Sequence, residues 1–533
     1  MEHIADEVQT DENIKQEPQV FVESIQFNDG TSITLTPKSI VVFTGPNNCG
    51  KSQVLKDIDG YFDKTTSLPQ VVVKSVTAKF LGDLDDDYID KHFYLDTKGR
   101  YTPRESNGQA FAKQDIRSLW RQKSLSMHLN RLFIKFIDTE KRLTTSKTLA
   151  NTSGYQANPI YKISRDVSLA NLLSKFFRQA FANDLSANRI EFSNISLHIG
   201  NAPDRKTFTM ENEDEYYKLI AEMPLLDIPG DGMRSFASIL LDIFVSKYNV
   251  IMIDEPEAFL HPPQSRLLGR ILTNQNKDNQ QLFISTHSND FLQGLIDVSN
   301  ENVTVIRIDR RDGINHMNIL QNEMLKDLWG NPILRYSNIL SGLFHEKVIV
   351  CESDYDCLFY QALVDAIYEN NGNIAPNILF VHCGGKPRIK SIILALKALN
   401  VKVLAVPDFD VFNIEDEFRP LTRAFGIDWD GQSSSSMRVF YNWLGADPQR
   451  KKTVKTKGFS CLTGDVLAAY QTINQICTSV GLFIVPYGEI ECFDLTVTKK
   501  KRKWVDHILV RGNMADIDSL STARAFIHSL IEF

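Results

Sequence analysis

Short runs of apolar residues separated by polar turns mark the front of the chain. VFVESIQF (20–27) and SITLTP (32–37) read as two strands joined by the turn NDGT. SIVVFTG (39–45) reads as a short buried strand ending in a glycine-rich turn, and 52–62 as a helix, giving strand, loop and helix in succession. Residues 1–18 carry no apolar period and read as a disordered tail. From about 80 to 215 the pattern turns polar, rich in Lys, Arg, Ser and Asn with mostly helical spacing, and reads as an insertion. The apolar signal then returns. In 233–244 a helical face carries Met233, Phe236, Leu240, Ile243 and Phe244. NVIMID (249–254), LFIST (282–286) and VTVIRID (303–309) read as strands.

A second alternating unit starts near 346. Strands 347–353, 378–385 and 401–410 alternate with helices 355–368 and 387–399, which predicts a second parallel sheet. The expected division is a tail at 1–18, a larger α/β domain at 19–340 holding the insertion at about 80–215, and a smaller parallel α/β domain at 341–533.

Bulk properties narrow the class. The 533 residues predict two to four domains with ample core. Seven scattered cysteines without a CxxC pair argue against a disulfide framework or zinc site, and predict a reducing, cytoplasmic setting. The acidic N-terminus lacks the features of a signal peptide. No run of ~18 uncharged apolar residues occurs, so no membrane span is expected. A net charge of −7 counts against a purely electrostatic nucleic-acid binder, although KKKRK (499–503) and the basic stretch at 450–457 are local exceptions. Each of these reads equally as a solvated loop.

Candidate chemistry is densest at two places. GPNNCGKS (45–52) fits the phosphate-binding loop pattern. Gly45, Asn47, Asn48 and Gly50 would bring backbone amides around a phosphate, Lys51 would reach the β- and γ-phosphates of ATP, and Ser52 would ligate Mg²⁺. In NVIMIDEPEAFLHP (249–262) an apolar strand ends at Asp254, suited to Mg²⁺ through water, and Glu255, suited to polarising the attacking water. In QQLFISTHSNDFL (280–292) His287 follows a strand and can bond the γ-phosphate. PGDGMRSF (229–236) stands where the signature loop of an ABC-type ATPase belongs. There Gly232 and Ser235 would face a γ-phosphate held by a second protomer, implying a homodimer or larger assembly. The loop departs from the transporter form LSGGQ, which disfavours a transporter.

The second place is a set of strand-end carboxylates: Glu352 with Asp354 and Asp356, then Asp408 with Asp410, then Glu489 or Glu491. Ligand sites of open parallel sheets lie at such ends. Carboxylates crowded together call for a divalent cation, Mg²⁺ or Mn²⁺ for all-oxygen ligands, with Glu352, Asp356, Asp408, Asp410 and Glu491 as candidates. The competing reading is helix capping, strongest for Ser353 and Asp354.

A glutamate after the first strand, the glycine turn CGG (383–385) after the second and DFD (408–410) after the third resemble the Toprim domain. With the ABC-type motifs in front, the chain resembles the OLD (overcoming lysogeny defect) nucleases over about 20–533, the insertion apart. Ser353 stands where that family usually has glycine. The resemblance implies Mg²⁺-dependent DNA cleavage coupled to nucleotide state, with Glu255, His287, Glu352, Asp408 and Asp410 as catalytic groups. It also implies a late lysine, for which Lys499–Lys503 are candidates, and a setting in phage defence, in some members beside a reverse transcriptase. The alternative is a nucleotide-driven sensor or clamp with a degenerate Toprim domain acting through a partner protein.

Overall fold

The computed structural model describes residues 16–62, 70–104, 110–125, 129–150, 158–188, 194–203, 212–228, 230–297, 301–320 and 338–533. The expected tail at 1–18 falls almost wholly outside these residues. The chain divides into two compact units, the first Met1–Thr44 with Asn48–Asn322 and the second Glu323–Phe533 with the short stretch Gly45–Asn47. The expected boundary at 340/341 lies just past the stretch 321–337, which is outside the described residues.

The first unit holds β1 (Gln19–Phe27), β2 (Ser32–Thr34), β3 (Ile40–Thr44), β4 (Val73–Leu81), β5 (Phe93–Leu95), β6 (Tyr101–Pro103) and β7 (Ile134–Ile137). It continues with β8 (Leu149–Ala150), β9 (Asp184–Asn188), β10 (Asn194–Gly200), β11 (Val250–Asp254), β12 (Gln281–Ser285), β13 (Val303–Arg311) and β14 (Ile314–Leu320). Its central sheet runs β14-β13-β3-β12-β11-β7, parallel throughout except for the antiparallel edge β14. All of β3 and β12 and most of β11 are buried, as expected of parallel strands covered on both faces. A separate antiparallel sheet, β2-β1-β4, lies beside it.

Two features differ from the sequence reading. The stretch 80–215 is not simply helical: it includes the three-stranded sheet β8-β10-β9 and supplies β7, the edge strand hydrogen-bonded to β11. The helix expected over 233–244 is an α-helix at Asp231–Leu240 that widens into a π-helical turn at Leu241–Val245. Ser235 through Val245 are buried all round rather than along one face, because the helix sits inside the unit.

The second unit contains β15 (Lys347–Cys351), β16 (Ile378–His382) and β17 (Lys402–Val406) in the parallel order β16-β15-β17. The first strand is thus central, the arrangement that opens a crevice at the carboxyl ends. The helices Asp354–Asn370 and Ile389–Ala398 make the crossovers. The stretch before Glu489 extends the sheet irregularly: Phe483 donates its N–H to Ala405 O at 2.9 Å and Val485 to Pro407 O at 3.0 Å. Trp504, Phe359, Tyr360, Ile508 and Leu530 fill the core of this unit.

Candidate functional site

β3 ends at the buried Thr44, and the chain turns through the phosphate-binding loop into the helix Lys51–Phe62. Gly45 (φ 146°), Asn48 (φ 61°) and Gly50 (φ 100°) take conformations that glycine adopts freely and asparagine tolerates. A Cβ on Gly50 would come within 2.8 Å of Asn315 Nδ2, which itself bonds Cys49 O. The loop is therefore braced by β14, a strand absent from the sequence reading. Ser52 stands in the first helical turn beside Lys51, whose side chain is largely buried.

Parallel pairing sets Asp254, at the end of β11, opposite Ser285, and the Ser285 hydroxyl donates to the Asp254 carboxylate. Glu255 leaves the strand at φ 51°, with its N–H on Ser285 O at 3.0 Å. Its carboxylate meets His287 Nδ1 at 3.2 Å. The bond to His287 holds the Glu255 carboxyl below its usual range, and the same bond raises His287 above an ordinary histidine. Glu257, which the sequence reading passed over, is buried beneath them. Its Oε1 accepts from His287 N–H and Thr286 Oγ1, each at 2.9 Å, and burial pushes its carboxyl up. Arg142 was missed too. Fully buried, it donates from Nη1 to the Glu255 carbonyl at 2.8 Å across 113 residues of sequence. Glu257 carried a signal, as the second glutamate of the EPE motif; nothing near Arg142 in sequence marks it.

The segment expected to act as the signature loop is built differently. The helix starts at Asp231 with Gly230 as its N-cap, while Pro229 lies outside the described residues. Ser235 is fully buried in the second turn and its hydroxyl does not face outward. Gly232 lies against the loop after Glu255, where a Cβ would come within 2.5 Å of Phe259 O. The close approach explains that glycine by packing.

In the second unit the carboxylates of Glu352, Asp408 and Asp410 converge, with one oxygen from each within 4.8 Å of the others. Glu352 follows β15, and its Oε1 accepts the Asp408 N–H at 3.1 Å. Gly384 (φ 68°) and Gly385 (φ 119°) make the turn after β16, and Gly385 N–H returns to Glu352 O at 3.2 Å. Burial pushes Glu352 up to about 7, with Lys386 pulling against it. Burial, reinforced by the charge of Glu352, lifts Asp408 far above the usual carboxylate range. Such crowding calls for positive charge.

Part of that charge comes from two lysines on Asp410. Lys386 pairs with Oδ1, and Lys455 lies 3.0 Å from Oδ2 and 3.0 Å from Glu489 Oε1. Burial lowers Lys386; for Lys455 burial is the largest single influence, but the bond to Glu489 and the charges of Glu489, Asp408 and Glu352 together outweigh it and raise it. The donor set is hard, all-oxygen and short of counter-charge, which fits a divalent cation of the Mg²⁺ class.

The other expected ligands go elsewhere. Asp356 forms a capping box with Ser353, whose N–H it accepts at 2.9 Å, and burial raises its carboxyl to about 6. The capping expected of Ser353 is present, while Asp354 only opens the helix. Glu491 Oε1 accepts the backbone N–H of Lys501, and Lys499 lies 3.3 Å from His507 Nδ1. The lysines at the carboxylates are therefore Lys386 and Lys455, not those expected among 499–503. Lys455 belongs to the basic stretch 450–457, whereas Lys386 directly follows the CGG turn.

Two family models match the chain. Residues 143–292 fit an AAA domain described as a putative AbiEii toxin of a type IV toxin–antitoxin system, and residues 343–410 fit the TOPRIM domain of overcoming lysogenization defect protein-like proteins. An OLD nuclease of Thermus scotoductus is 30% identical over 222 residues, 37% of this chain and 39% of that protein. An ATP/GTP phosphatase of Helicobacter pylori is 30% identical over 131 residues, 23% of this chain and 35% of that protein. The chain thus spans well under half the length of these curated relatives. A solved Smc head, bound to a domain of ScpA, is 11% identical and covers 57% of this chain and 99% of its own, at a TM-score of 0.36. Among the described residues, no helix is long and apolar enough to cross a membrane.

Proposed function

For a chain that joins an AAA domain to an OLD-like TOPRIM domain, and so belongs with the OLD-type ATPase–TOPRIM proteins, we propose an ATP-hydrolysing, metal-dependent DNA endonuclease. The observation that carries this reading is the convergence of Glu352, Asp408 and Asp410 at one sheet edge, with lysines on Asp410. These three carboxylates would hold the divalent ion, Mg²⁺ or Mn²⁺. When bound, such an ion supplies Lewis-acid stabilisation of charge on a phosphodiester. Lys455, half exposed on the helix Pro448–Lys457, is suited to contact a phosphate of the nucleic-acid backbone.

In the first unit, the loop amides and Lys51 would cradle the phosphates of ATP, and Ser52 and Asp254 would face its Mg²⁺. Glu255 stays ionised at neutral pH beside His287, so it is ready to orient and polarise the attacking water. A homodimer with ATP held between two protomers belongs to the same reading, without a role for the buried Ser235 hydroxyl. By the same reading the protein serves in phage defence, with a partner such as a reverse transcriptase engaging the stretch 80–215.

Plasmid nicking in Mg²⁺ or Mn²⁺ tests the nuclease. Wild type is expected to cut, and Asp408→Ala and Asp410→Ala to lose cutting; equal nicking by all three would sink the metal site. The lysines covering both oxygens of Asp410 favour one second reading, a sensor with a degenerate Toprim domain. An inert wild type that still turns over ATP decides for it. For the ATPase, Glu255→Gln is expected to bind ATP but to hydrolyse it at least about 100-fold more slowly. An unchanged rate removes Glu255 from its role.

A further inference from the structure

Arg142 is 1% exposed, yet among the described residues its Nε and Nη2 have no hydrogen-bond partner and its one such bond goes from Nη1 to the Glu255 carbonyl. Burying a guanidinium this incompletely paired is costly, so the position calls for a role beyond packing. The residue it holds is unusual as well. Glu255 sits at φ 51°, a left-handed conformation that a non-glycine residue keeps only when its surroundings enforce it. Its backbone is fixed there by its N–H, shared between Ser285 O and Ser285 Oγ, by Ala258 N–H on its carbonyl at 3.0 Å, and by Arg142 on the same carbonyl. The resulting twist points the carboxylate at His287.

Arg142 also opens a one-turn helix, Arg142–Thr145, that is tied to the helix Asp231–Leu240 and the turn following it. Ser146 N–H donates to Ser238 Oγ at 3.1 Å, Thr145 Oγ1 donates to Asp242 Oδ2 at 3.2 Å, and Arg234 Nη2 donates to Leu143 O at 3.1 Å. The segment expected to sense a second protomer is therefore joined to the Glu255 carbonyl through one side chain.

We infer that Arg142 is a positioning residue for ATP hydrolysis, clamping the backbone of Glu255 so that its carboxylate is aimed, and linking the helix Asp231–Leu240 to that aim. The inference rests on Glu255 being the group that activates water. In the full-length protein, Arg142→Met is expected to lower kcat roughly 10- to 100-fold while KM for ATP changes by less than about threefold. Arg142→Lys, whose ammonium can still donate to the carbonyl, is expected to recover part of kcat. On a Glu255→Gln background, Arg142→Met is expected to add no further loss, because both act through one group.

Equal falls in kcat and ATP affinity, no rescue by lysine, or additive losses in the double variant would each overturn the clamp. If Arg142→Met does not fold, the lysine variant and its double with Glu255→Gln give the same decision. Should Glu255→Gln alone hydrolyse ATP normally, the fault lies with the role of Glu255 and not with the clamp.

Discussion

At the edge of the candidate ATP site the Glu255 carboxylate lies 3.2 Å from His287 Nδ1, with the buried Glu257 carboxyl 3.3 Å from the same nitrogen, so the titrations of Glu255 and His287 are linked. His287 is raised chiefly by its bond to Glu255, so the stabilisation it contributes is complete below the ordinary histidine value of 6.5 and is lost as pH rises through its elevated folded value. Glu255 is lowered chiefly by the same bond, so its share is complete above the ordinary carboxyl value of 4.5 and disappears as pH falls through its depressed one. Glu255→Gln is therefore expected to bring the His287 titration, followed by histidine-selective NMR, down towards 6.5. A titration that does not move would mean that the pair is not formed in solution. The residues legible in sequence, Lys51, Asp254, Glu255, His287, Glu352, Asp408 and Asp410, all sit at strand ends or in a glycine loop, where local pattern and chemistry coincide. Arg142 and Lys386 were not legible as site residues, and Lys455 only as one member of the basic stretch 450–457, because only folding brings them there.

At the scale of elements, close backbone approach replaces side-chain packing where the helices Pro262–Asn274 and Asn289–Ile296 cross beside the strand that leads to His287. A Cβ on Gly294 would lie 2.1 Å from Arg266 O, and one on Gly269 would lie 2.5 Å from Phe291 O. Gly294→Ala is expected to destabilise the first unit by about 1–3 kcal/mol through overpacking, measured as a lower midpoint of thermal unfolding. Gly60, inside the helix Lys51–Phe62, has nothing among the described residues within 4 Å of where its Cβ would be, so Gly60→Ala is expected to stabilise by about 0.5–1 kcal/mol through helix propensity. Equal effects at the two positions would refute the crossing as the cause. Nearly every strand of the two parallel sheets was legible, since buried parallel strands read as unbroken apolar runs. β7 and β14 were not: each is an edge strand whose mixed faces resemble neighbouring helix or loop.

Across the whole molecule, two α/β units each present their chemistry at the carboxyl ends of a parallel sheet. That common geometry is why both sites were visible from strand order alone. The polar stretch 80–215 was harder to read because its own strands are short and its apolar period is broken.

Its contribution to the sheet bears on how the stretch can be studied. Excising it to obtain a minimal motor would strip β7 from the flank of β11, leaving bare amides and carbonyls along the strand that ends in Asp254. Such a raw rim invites self-association, and the trimmed protein would be sticky before it was merely inactive.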